Sequence, residues 1–201
     1  MARQPSPNDR AAVERAMADL IRALGLDAAA EPELAQTPAR VADLYAEIFS
    51  GLDPAAAPDL ATFIEPRGAR SGEDLVVVRD LPFYSLCVHH FVPFFGRGHI
   101  AYLPGERLIG ISGTARLLDL YSRRPQLQER IARQVADHLE ELVQPRGVAV
   151  VLEARHLCME MRGIRARGLV ETRVLRGALA EPRWAGVLPP PRADAASDPH
   201  S

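Results

Sequence analysis

No lysine occurs anywhere in the 201 residues; all 24 basic side chains are arginine. Every fixed positive charge is therefore a planar guanidinium, and any anion gripped by fixed charge is gripped by arginine. Cysteine is nearly as scarce, with Cys87 and Cys158 alone and far apart. A small secreted scaffold stapled by disulfides carries more, so the count argues against a disulfide framework. No apolar run approaches the ~20 residues needed to span a bilayer. The polar stretch Met1–Ala12 lacks the apolar segment of a signal peptide, so the expected location is the cytoplasm. A net charge of -2 gives no general reason to expect nucleic acid or an anionic membrane as partner. No internal repeat of solenoid length is present.

What is present has the balance of a folded protein: 47% hydrophobic and 25% charged residues. The length suits one domain of ordinary size with short appendages. Residues 1–8 read as a loose arm, and 9–52 as a helical region. Within it Val13, Met17, Leu20, Ile21 and Leu24 form one apolar stripe between Asp9 and Leu26. Thr37-Pro38 opens a second helix as N-cap and first helical residue, carrying Val41, Leu44, Tyr45 and Ile48 and stopping at Gly51. Residues 53–72, rich in Ala, Pro and Gly, read as an irregular connection. Strands are expected at 75–78, 98–103, 147–154 and 168–175. Helices are expected from Ser112 to Ser122 and from Pro125, as a first helical residue, to Val143. Residues 53–179 form the expected catalytic domain, and the Pro/Ala/Asp/Ser-rich residues 180–201 an unstructured tail. This order predicts an α+β domain: an antiparallel sheet with helices on one face.

Cys87-Val88-His89-His90 is the densest chemical cluster. A thiolate and two imidazoles within four residues are the sulfur and nitrogen donors that zinc prefers. The other cysteine, Cys158, follows His156 by two residues and repeats the same chemistry. Four such donors make a closed structural site, and three plus water a catalytic one. Each cysteine read alone is a small buried hydrophobe. That both stand within three residues of a histidine favours a metal. A second cluster runs from Ser112 to Arg130. Gln128 and Glu129 can hydrogen-bond a base there, and Ser112 and Arg116 near a helix start can hold phosphate, although a charged helix face is more often simply solvated. Arg162-Gly163 is equally ambiguous by itself.

Taken together, TPARVADLYAEIFSGL (37–52), SLCVHHFVPFFGRGHIAYLP (85–104), LIGIS (108–112), RRPQLQER (123–130) and EARHLCMEMRGI (153–164) resemble the GTP cyclohydrolase I family, in its order. The resemblance implies a tunnelling fold, with a four-stranded antiparallel sheet, helices on one side and N-terminal helices, assembled as two stacked pentameric rings. It implies Zn2+ on Cys87, His90 and Cys158, with His89 and His156 as acid and base. Glu129 with Gln128 would read the guanine edge, and Ser112, Arg116 and Arg162, with Arg40 of another subunit, would hold ribose and triphosphate. The implied reaction opens the imidazole ring of GTP at C8, releases formate and gives 7,8-dihydroneopterin triphosphate.

The sequence departs from the family's pattern in three places. Val88 replaces an acidic residue inside the metal motif, and Gly113 replaces a lysine after Ser112. The segment RARGLVETRVLRGAL replaces a Ser/Thr-rich strand, and its Arg165, Arg167 or Arg173 can stand in for the lost charge. These departures leave two alternatives open: a paralogue that acts on another purine nucleotide or stops at the ring-opened formamide, and an inactive nucleotide-binding regulatory subunit.

Overall fold

The computed structural model describes residues 9–27, 29–64 and 74–188, and the chain divides into two compact units, Met1–Ala57 and Pro58–Ser201. The arm expected at 1–8 lies outside the described residues. In the first unit α1 (Arg10–Ala23) packs against α2 (Thr37–Ile48). Asp9 starts α1 by accepting the Ala12 amide on its carboxylate, which satisfies a donor that the helix itself cannot. A 3-10 turn, Pro32–Gln36, leads directly into α2, so Gln36 and not Thr37 takes the cap position. Among the described residues of this unit only Ile21, Ala42, Phe49 and Gly51 are buried, while Leu20, Leu24, Leu44 and Leu52 are exposed.

The second unit runs β1 (Thr62–Ile64), β2 (Val76–Cys87), β3 (Pro93–Leu103), β4 (Arg107–Ile109), α3 (Ile111–Ser122), β5 (Pro125–Gln126), α4 (Gln128–Val143), β6 (Gly147–His156), α5 (Leu157–Glu160) and β7 (Leu169–Gly177). The main sheet has the order β5-β2-β3-β6-β7, and β1 pairs with β4 in a separate two-stranded sheet. The four long strands are antiparallel as expected, but the sheet is five-stranded and mixed, because β5 adds in parallel to the end of β2. That addition also corrects the start of α4. Pro125 is a strand residue: the Gln126 carbonyl accepts from the Val88 amide, Leu127 stays extended, and helix begins only at Gln128. The connection expected to be irregular at 53–72 contains β1, whose three residues are all exposed and carry no burial pattern; residues 65–73 lie outside the described ones.

The apolar run of β6 is buried on both faces, the arrangement that removes polar alternation from a strand. Val148, Val150 and Leu152 face the helices, meeting Leu117 and Leu118 of α3 and Ile131, Val135 and Leu139 of α4. Ala149 and Val151 face the other way, onto Leu179 and Leu188 with Trp184 beside them. The stretch 180–188, assigned by composition to an unstructured tail, is thus packed through Leu188, with a 3-10 turn at Pro182–Trp184. Proline and alanine lower its apparent hydrophobicity, yet its Leu188 joins Leu179 on the second face. Residues 189–201 lie outside the described ones. No helix among the described residues is long and apolar enough to cross a membrane.

Gly96 governs how close β3 comes to β6. It pairs with Ala154, and a Cβ added there would collide with the Glu153 carbonyl oxygen and the Ala154 backbone. Backbone cannot swing aside as a side chain can. Gly96→Ala is expected to cost more than about 3 kcal/mol, seen as a lowered urea midpoint or loss of soluble protein; an unchanged midpoint would refute the close approach.

Candidate metal centre and active site

The metal motif sits in the tight turn between β2 and β3. The Cys87 amide donates to the Val92 carbonyl over 2.9 Å, and the Phe91 amide donates back to the Cys87 carbonyl over 2.8 Å, with Phe91 in the left-handed region at φ 54°. The Val88 amide is held by Gln126 of β5, so both sides of the turn are anchored. Cys87 is buried, and its Sγ lies 3.7 Å from His89 Nδ1 and 3.9 Å from His90 Nδ1. The cross-strand register does the rest. Phe94, two residues into β3, stands opposite His156 at the end of β6, and the chain then enters α5 with Cys158.

Donor atoms of Cys87, His90 and Cys158 all lie within 4.8 Å of one another. Tetrahedral zinc holds sulfur and nitrogen donors roughly 3.5–3.8 Å apart, so the cluster closes on the ion with shifts of about an ångström or less. Burial, and then the adjacent Cys87, push the Cys158 thiol above its ordinary pKa. Two neighbouring thiols resist joint ionisation without a cation, and a soft divalent metal supplies that cation. These residues therefore fit zinc by geometry and by donor chemistry.

His156 lies flat on the Phe94 ring, with centroids 4.6 Å apart and planes 5° from parallel. Burial lowers its pKa, while the Glu129 and Glu160 carboxylates pull the other way. Its Nε2 is 2.8 Å from Gln128 Oε1. The Gln128 amide nitrogen in turn reaches the carbonyl oxygens of Leu152, at 2.9 Å, and Val170, at 2.8 Å. Glu129, the next residue, is exposed.

Residues 13–185 match the profile of the family described as GTP cyclohydrolase I. The chain is 45% identical over 180 residues to the GTP cyclohydrolase 1 of Thermobifida fusca (strain YX), covering 88% of this chain and 84% of that protein. It is 48% identical over 161 residues to the GTP cyclohydrolase 1 of Clostridioides difficile (strain 630), covering 80% and 83% respectively. The chain belongs to the GTP cyclohydrolase I family. Among solved structures, an archaeosine synthase QueF-Like in the apo form matches with a TM-score of 0.44 at 20% identity, covering 53% of this chain and 97% of that one.

Of the residues that the GTP cyclohydrolase I resemblance singled out, the structure gathers Cys87, His89, His90, His156, Cys158 and Arg162. The Arg162 guanidinium is 3.0 Å from His90 Nε2. Ser112 and Arg116 are exposed one helical turn apart at the start of α3, on the same face. Arg40 belongs to the first unit, where its guanidinium donates to Gln36 Oε1 over 3.0 Å. Gln128 is buried, and its side-chain amide donates to the Leu152 and Val170 carbonyls inside the protein.

Sequence reasoning missed the Arg155–Glu160 pair. The two side chains meet in a two-pronged contact at 3.1 and 2.7 Å, which closes the turn carrying His156 and Cys158. Arg155 holds the Glu160 carboxyl below its ordinary range. Opposite charges five apart match neither helix nor strand spacing, so no local pattern flags them. The family departures also gain a location. Arg173 is already paired with Glu171 at 2.6 Å, whereas Arg165 and Arg167 are exposed in the same loop as Arg162. At Gly113 an added Cβ would lie 2.6 Å from Ile109 Cγ1 and 2.8 Å from its Cδ1.

Two outcomes follow. After dialysis against metal-free buffer, elemental analysis is expected to find about one zinc per chain in the native protein and far less in Cys158→Ser. Gly113→Lys is expected to destabilise the fold by about 1–3 kcal/mol, because Ile109 fills the space, and calorimetry showing an unchanged or raised Tm would contradict that packing.

Proposed function

We propose that the chain opens the imidazole ring of GTP at C8, releasing formate and forming 7,8-dihydroneopterin triphosphate. The observation that carries this reading is the Cys87–His90–Cys158 donor cluster, with His156 two residues before Cys158 and held by Gln128 and Phe94. Zinc bound there supplies acid strength to water, lowering its pKa to roughly 7. His156 and His89 exchange protons with the purine as the five-membered ring opens. The half-buried His156 is pushed by desolvation toward its neutral form, so it starts as a proton acceptor. Glu129 reads guanine, because N1–H and the 2-amino group are adjacent donors that a carboxylate can accept together. Its carboxylate is close enough to His156 to act on that imidazole's charge, which supports placing the base there.

Arg162, Arg116 and Ser112 hold the ribose and triphosphate, with the geometric advantage that guanidinium has over ammonium for phosphate. Arg40 joins them from another subunit. The second unit then belongs to a tunnelling fold, and the chain assembles into rings, two pentamers forming a decamer. Exposed apolar side chains support self-association: Leu20, Leu24 and Leu44 in the first unit, and Ile111, Met161 and Ile164 in the second.

Gly113 favours one alternative, a purine nucleotide with fewer phosphates, since the side chain that would extend the cationic grip is absent. Zinc-loaded protein incubated with GTP is expected to release formate and, after oxidation, fluorescent neopterin. Formate without neopterin would mean that the reaction stops at the ring-opened product, and faster turnover of GMP than GTP would favour the alternative. Neither product from any purine nucleotide would leave a nucleotide-binding subunit. Glu129→Ala is expected to lower kcat/KM for GTP about 10–100-fold, the loss of a charged hydrogen-bonding partner for the base; a loss below threefold would remove Glu129 from that role.

A further inference from the structure

Gln128 is 1% exposed at the first residue of α4, and its side chain makes three polar contacts, all within the protein. Two of them are to carbonyl oxygens, Leu152 on β6 and Val170 on β7. Carbonyl oxygens only accept, so the amide group must turn its NH2 toward them and spend one hydrogen on each. The reverse orientation would press Oε1 against two oxygens with no hydrogen between. The remaining atom, Oε1, therefore faces His156 Nε2 at 2.8 Å. Oε1 also only accepts, so the hydrogen in that bond belongs to the imidazole.

We propose that Gln128 is a positioning residue that fixes the tautomer of His156, holding a hydrogen on Nε2 and leaving Nδ1 as the nitrogen that exchanges protons with the substrate. The inference rests on the reading of His156 as an acid/base group. Phe94 fixes the plane of the ring by stacking, and Gln128 fixes its rotation within that plane. Its two carbonyl anchors lie on neighbouring, paired strands, so the orientation of the histidine is set by the β6–β7 ladder. Guanine is then read by Glu129 without the Gln128 side chain.

Two measurements test this. In zinc-loaded full-length protein with 15N confined to the histidine rings, solid-state NMR near neutral pH reports which nitrogen of His156 carries hydrogen, the signal being assigned by its loss in His156→Asn. A protonated Nε2 with a bare Nδ1 is expected, and a protonated Nδ1 with a bare Nε2 would overturn the proposal. This arm uses the native protein and needs neither turnover nor a folded Gln128 variant. In steady-state kinetics, Gln128→Met, of similar length and without hydrogen bonds, is expected to lower kcat for GTP about 100-fold while KM stays within about threefold. A raised KM at unchanged kcat would make Gln128 a reader of the base and refute the assignment. If the native protein releases no formate from GTP, the activity reading fails by itself, and the NMR result alone decides the tautomer.

Discussion

The close pairing of β3 with β6 is the constraint on which the rest of the site depends. Zinc chemistry needs donors from two segments about 70 residues apart in the chain, and loop flexibility alone would leave them wandering by far more than a metal–ligand bond tolerates. The antiparallel ladder from Leu103–Gly147 to Phe94–His156 removes that freedom, one hydrogen-bonded residue at a time. Gly96 lets the strands approach where a side chain would hold them apart. The Cys87 turn leaves one end of this ladder and the Cys158 turn the same end of its partner. The core on the helix side, with Ile100, Val150, Ile131 and Leu139 fully buried, keeps the ladder in register: slipping by one residue would turn each apolar side chain to the opposite face.

The turn beyond the ladder is secured separately at each end. On the Cys87 side the Val88 amide is held by β5, a two-residue strand whose purpose in the sheet is otherwise obscure. On the Cys158 side the Arg155–Glu160 pair spans the bend. Both devices use atoms that do not touch the donors, so the ligands themselves remain available to a metal. Support of this kind from outside the ligand set keeps a site within the few tenths of an ångström that its chemistry needs.

How much of this was legible in advance depends on whether the information was local. The donor set was, because Cys and His are rare here and their spacing alone suggests a metal; the four long strands were legible from their β-branched, apolar runs, and the helices α3 and α4 from helical spacing. Strand ends were not. β2 runs to Cys87 through Arg79, Asp80 and Pro82, with a bulge between Val78 and Leu81 and Asp80 at φ 57°, so its alternation is broken where a pattern search would stop. β5 depends on a partner strand nearly 40 residues away. The contacts of Gln128 were also illegible, since nothing in the local sequence points to the Leu152 and Val170 carbonyls that its side chain meets.

The absence of lysine gains meaning only with the ion pairs in place. Counting arginines overstates the positive charge open to a substrate, because a guanidinium already gripping a carboxylate brings no net attraction to the site. Arg173 with Glu171, and Arg176 with Asp137 and Glu140, are committed in this way to holding β7 and to tying it to α4. The charge missing at Gly113 therefore cannot come from β7. The loop of residues 162–168 is the better source: Arg162 already stands against His90, and Arg165 and Arg167 follow it within five residues. A charge supplied from that loop would approach a substrate from the metal side of the site and not from the α3 side. The same number of phosphate contacts is then kept while the direction of the grip changes, so the replacement alters where the phosphates are held before it alters how many.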